Sequence, residues 1–131
     1  MAREMVVKND YYVLEVDPDI NRLFITLQGF WENPTVTPNI LTDIDAALDR
    51  VRPGFTNLVD TTQFKTPPKD VMEVFERVQQ RIMARGISKN AEVVSSAFVE
   101  VNLEEVASHS DLSQVLRQFK SMADALAWLN E

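Results

Sequence analysis

Val71, Phe75, Val78 and Ile82 stand at i, i+4, i+7 and i+11, one continuous apolar stripe of the kind an amphipathic helix buries. The segments flanking that stripe have a different character. Before it runs Phe55 to Asp60, FTNLVD, short and apolar enough for an interior strand, and after it Ala91 to Ser95, AEVVS. A strand, a long helix and a second strand form a unit whose strands lie parallel while the helix crosses one sheet face. This unit places the chain in the α/β class. Arg85 and Gly86 close the helix, the first with a favourable C-terminal charge and the second with free access to positive φ.

The remaining segments fit around that unit. Residues 1–9 read as a loose lead-in, with Met5 to Val7 at most extending the first strand. Tyr11 to Val16 alternates, with Tyr12, Leu14 and Val16 on one side. Arg22 to Gln28 does the same with Leu23, Ile25 and Leu27. Asp17-Pro18-Asp19 supplies turn chemistry between them, so the pair is an antiparallel hairpin. Thr37 and Pro38 have the order of an N-cap and a first helical residue, before Leu41, Ile44, Leu48 and Val51 at helical spacing. Pro53-Gly54 stops that helix.

Residues 61–68 read as a loop, and residues 96–101 fit either strand or helix. Asn102 and Glu105 form a capping-box pair for a third helix running to about Leu116. Arg117 to Phe119 makes a short last strand. Ser121, with Asp124 three residues on, opens a final helix that turns Met122, Ala125, Leu126 and Leu129 inward. The expected architecture is one α/β domain over residues 1–131. It has a mixed, mostly parallel sheet of four to five strands, an N-terminal β-hairpin and about four helices.

Composition removes several functions. Thirteen basic against twenty acidic side chains give a net charge of −7, which disfavours nucleic acid and anionic membrane surfaces. Cysteine is absent, so disulfides, thiolate metal sites and thiol nucleophiles are excluded. No stretch approaches the roughly 20 apolar residues that span a bilayer, and the N-terminus has no signal-peptide core, so a cytoplasmic location is expected. The three glycines, at 29, 54 and 86, form no phosphate-cradling motif, and no GxSxG elbow occurs.

Three stretches carry a family resemblance: the hairpin YYVLEVDPDINRLFITLQG, the strand NLVDTTQF, and a tail with Arg117, Phe119, Ala125, Trp128 and Leu129. Over Tyr11 to Leu129 the chain resembles the SpoIIAA-like proteins, the STAS-type fold of bacterial anti-sigma factor antagonists. The resemblance implies a non-enzymatic regulator that binds a protein partner. In the sporulation-type antagonists a serine in an Asp-Ser pair, at the start of the helix after the central strand, is phosphorylated. The corresponding stretch here, Lys65 to Asp70, holds no serine. Thr66 is its only hydroxyl and is not in the Asp-Ser context. Asp60 matches the family's strand-terminal acid.

The candidate site residues each have a structural reading beside the functional one. Asp60, Thr61 and Thr62 sit where a parallel strand delivers side chains to a ligand rim, yet a lone acid usually accepts local backbone bonds. Ser95 and Ser96 end a neighbouring strand and either line the same rim or satisfy loop groups. Phe30 and Trp31 follow Gly29 directly. With Phe64, Met72 and Met83 they either line an apolar pocket or plug the core, and burial tendency favours the plug. His109 has no second ligand at metal-binding spacing and reads as an exposed helical side chain. Arg77, Arg81 and Arg85 form a basic stripe best read as solvated and ion-paired.

The expectation is therefore a regulatory or protein-interaction module without cofactor or metal, with a protein partner or a homodimer. The alternative is a binder of a small apolar or lipid-like ligand between sheet and helices, which requires a pocket of roughly 300 Å³ or more.

Overall fold

The computed structural model describes residues 3–131, except the side chains of Phe98, Glu100, Val101, Asn102, Glu104 and Ser110. Strands β1 (Glu4–Lys8), β2 (Tyr12–Asp17), β3 (Arg22–Gly29), β4 (Thr56–Phe64), β5 (Lys89–Val93) and β6 (Leu116–Phe119) form one six-stranded sheet, laid side by side in chain order. The first three are antiparallel, and β3 to β6 run parallel. Helices α1 (Ile40–Leu48), α2 (Lys69–Ala84) and α3 (Ala97–Ser110) occupy the crossovers, and α4 (Met122–Leu129) ends the chain. The expected α/β architecture is thus present, with six strands.

Alternation along the strands creates two cores. Tyr12, Leu14, Leu23, Ile25, Leu27 and Val59 face α1, α2 and α3 and pack with Ile44, Leu48, Phe75 and Ile82. The opposite side chains Phe24, Leu58, Ala91 and Val93 meet Ala125 and Leu129 of α4. The α2 stripe read from the sequence is buried along its length, from Val71 to Ile82.

The lead-in is not loose: Glu4–Lys8 pairs with β2, so β2 has a neighbour on each side. Val6 and Val7 pack against the larger core, and the Arg3 guanidinium lies 3.8 Å from the Phe24 ring centroid. Three consecutive apolar residues between charged ones give an edge strand little alternation to display, which is why the sequence understates it.

Three boundaries also move. Asn33 accepts a bond from Thr35 N, 2.9 Å, and starts a single 3-10 turn at Pro34–Val36. That turn consumes the chain ahead of α1, so the N-cap is Asn39 rather than Thr37, and Thr37 is buried instead. Residues 61–64 continue β4 instead of starting a loop. Helix α3 begins at Ala97, where the Ser96 hydroxyl accepts from Val99 N at 3.4 Å. The capping box proposed at Asn102 rests on a side chain outside the described residues, and the backbone there is already mid-helix. Helix α3 stops at Ser110, ahead of the expected Leu116, because Asp111 turns left-handed with φ 65°.

Polar bonds fix the outlying pieces. Tyr12 donates its hydroxyl to Asp43 at 2.5 Å, and burial together with that carboxylate pushes the phenol's pKa up. Arg22, buried, bonds Thr56 Oγ1 at 2.8 Å and Asn130 Oδ1 at 2.9 Å, tying the end of α4 to the sheet. Ser121 caps α4 by accepting from Asp124 N at 3.1 Å, as its spacing predicts.

Candidate functional site

The carboxyl end of β4 carries the residues singled out from the sequence, and their polar atoms are engaged with one another. Asp60 Oδ1 accepts from Thr62 N at 2.9 Å and from Thr62 Oγ1 at 2.7 Å. Thr61, 1% exposed, donates its hydroxyl to Val93 O on β5 at 2.8 Å. Ser95 reaches back to Thr62 O at 3.3 Å. Ser96 caps α3. Four of the residues, Asp60, Thr61, Thr62 and Ser95, are thus brought together, as lacing between two strand ends. Asp60 takes the local-acceptor role that short acids commonly fill.

The aromatic candidates separate. Gly29 has φ 74°, a conformation that suits glycine, and Phe30 and Trp31 follow it directly. Phe30 is 46% exposed and Trp31 is fully buried. Trp31 donates its indole N–H to Gln28 O at 3.1 Å and Tyr11 O at 3.2 Å. Its ring lies 5.8 Å from Phe64 and 4.9 Å from Phe75, centroid to centroid. Trp31 and Phe64 therefore plug the core, as burial tendency favours, and Phe30 does not join them.

Beyond Phe64 the chain crosses residues 65–68 and enters α2, and a surface groove of about 460 Å³ opens between α2 and α3. Pro67, Met72 and Val106 give it an apolar floor. Lys69, Glu73, Glu76, Glu105 and His109 stand around it. His109 is exposed, with Nδ1 3.8 Å from Glu76 Oε2. Thr66, the residue before Pro67, is exposed and is not among the residues that line the groove. The sequence grouped Met72 with Phe30, Trp31, Phe64 and Met83 and read His109 as an exposed helical side chain. It did not bring Met72 and His109 to one groove, because that depends on how α3 packs beside α2. Two arginines of the α2 stripe reach toward α1: Arg81 pairs with Asp45, and Arg85 with Asp49 at 2.6 Å.

A second polar group lies inside the molecule, and sequence reasoning passed over it. Asn57 of β4, Asn90 and Glu92 of β5, and Gln79 of α2 are all buried between the sheet and the helices. Asn57 Nδ2 donates to Asn90 Oδ1 at 2.6 Å, and Gln118 Nε2 donates to Glu92 at 3.1 Å. Asn57, Gln79, Asn90 and Glu92 border a cavity of about 40 Å³ whose other walls are apolar. The signal was available. Asn57 stands two residues before Val59, and Gln79 four after Phe75, so both share a face with core residues. A cavity of this size is far below what a lipid-like ligand needs. Among the described residues no three His, Asp or Glu side chains converge as a metal site.

No family model matches this chain, and no curated protein sequence matches it. Its fold is similar to the crystal structure of an anti-sigma factor antagonist from Mycobacterium paratuberculosis. The TM-score is 0.58 at 11% sequence identity, covering 95% of this chain and 98% of that one. At that identity it is a likeness of fold.

Proposed function

We propose that this chain is a non-enzymatic regulatory module of the cytoplasm that acts by binding a protein partner. The docking surface in this reading is the segment leaving β4 together with the α2–α3 groove. The observation that carries it is the groove itself, an apolar floor of Pro67, Met72 and Val106 edged by three glutamates. A floor of that kind suits an amphipathic segment, and the acidic edge suits one with basic flanks. The likeness of fold to an anti-sigma factor antagonist supports the same class of function. The hydroxyl rim of β4 supports it from the other side, since Asp60 is engaged by Thr62 rather than by a basic side chain that could share a proton.

Lys65 to Asp70 holds no serine, so in this reading partner exchange does not depend on a phosphoserine at that position. The testing experiment pairs charge reversal in the groove with charge reversal on α4. Glu73→Lys with Glu76→Lys is expected to abolish capture of the cognate partner from the source cell, and Asp124→Lys to leave it intact. Capture insensitive to the groove pair, or lost on changing α4 instead, would remove the groove from the proposal. Intact-mass measurement of the protein from the same source reports any phosphate on Thr66 in the same sample.

A further inference from the structure

The interior amides of Asn57 and Asn90 share one hydrogen bond, at 2.6 Å, rather than forming a closed pair. Asn57 and Asn90 are each 1% exposed and sit in register on adjacent parallel strands. Their single mutual bond leaves Asn57 Oδ1 and Asn90 Nδ2 without a hydrogen-bond partner among the described residues. Turning both amides over changes which atoms remain, yet still leaves one donor and one acceptor unpaired. Buried amide atoms left unpaired are costly, and each needs an explanation. Both residues border the cavity of about 40 Å³, which Ile25, Ile40, Ile44 and Phe75 also line.

We propose that this cavity binds a small neutral amphiphile, a hydroxyl or carboxamide group on a short apolar body. The polar end completes Asn57 and Asn90 by offering an acceptor and a donor together, and the apolar end lies against the isoleucines. The volume admits roughly three water-sized groups, so the ligand has roughly three or four non-hydrogen atoms. A neutral group fits because the two unfilled positions are an amide oxygen and an amide N–H, and because Glu92, the carboxylate that also borders the cavity, already accepts from Gln118 Nε2 at 3.1 Å. Helices α2 and α3 wall the cavity through Phe75 and Leu103 and carry the surface groove on their outer side. The inference nevertheless stands apart from the docking reading, because it rests on interior atoms alone.

Acetamide and propan-1-ol are the probes, titrated into isotope-labelled protein while the side-chain amide signals of Asn57 and Asn90 are followed by NMR. Ligands of this size bind at best in roughly the millimolar range, so saturation is sought there. The expected result is a saturable shift confined to those two signals and to methyls of the cavity wall. It should disappear in the Asn57→Leu/Asn90→Leu double variant, which removes donor and acceptor together. Val59→Ile adds one methyl to the wall and keeps both amides, so it should also block the shift, and it covers the case in which the double variant does not fold. Shifts that rise linearly without saturating, or that persist in both variants, overturn the proposal. A crystal structure grown with either probe that shows only ordered water in the cavity overturns it as well.

Discussion

Two stretches of β4 carry polar side chains, and they are treated in opposite ways. At the carboxyl end, Asp60, Thr61 and Thr62 face the rim, where an α/β sheet commonly works, and their oxygens are bonded to each other and to β5. Three residues earlier Asn57 lies in the buried interior, where polar atoms are expensive, and its oxygen has no partner among the described residues. Position on the sheet thus ranks the two stretches one way, and polar satisfaction ranks them the other. Satisfied side chains at a rim stabilise strand ends. Unsatisfied ones in a core are tolerated only where something offsets their cost.

The comparison can be broken by mutation, starting where the largest effect is expected. Phe64 ends β4 and packs its ring 5.6 Å from Phe75 and 5.8 Å from Trp31. Phe64→Ala should destabilise by about 3–5 kcal/mol, seen as a lower urea midpoint with little change in slope. A loss below about 1 kcal/mol would show that the rim is not anchored by its aromatic plug, and would restore Phe64 as a ligand-facing residue. Next is the amide pair. Asn90→Leu strips Asn57 of its one partner in the core and should cost about 2 kcal/mol, whereas Asn57→Leu/Asn90→Leu should cost less than the single change. That non-additivity is read from a double-mutant cycle. Simple additivity would mean that the two amides are not coupled.

How far each stretch was legible follows from the same chemistry. The hairpin, the α2 stripe and the Ser121 cap are local signals, set by alternation, helical spacing and a side chain reaching three residues ahead. Strand β5 begins at Lys89, two residues earlier than read, and a shift of two keeps every side chain on its face. What stayed hidden is non-local. Strand β1 exists because β2 offers it an edge, and the groove exists because α3 lies beside α2. The inward amides were hidden for another reason, since asparagine in a strand is ordinarily read as exposed or as a turn residue. Only the alternation through Val59 and the register with Asn90 mark Asn57 as interior.

The smaller effects test whether the rim is structural throughout. Thr61→Val keeps the shape of the buried side chain and removes its bond to Val93 O, which should cost about 1 kcal/mol, and leaves the Val93 carbonyl to other donors. Asp60→Ala comes last. Its carboxylate bonds only backbone and hydroxyl of the exposed Thr62 two residues away, in a turn-like local contact that water replaces readily. The expected loss is within about 0.5 kcal/mol, with partner capture unchanged in the assay used for the groove variants. Asp60 would have to be reinstated as a working residue if stability held and capture failed. That outcome would mean the acid exchanges its Thr62 bonds for a partner's donors, and the distinction between a satisfied rim and an unsatisfied core would no longer separate function from support.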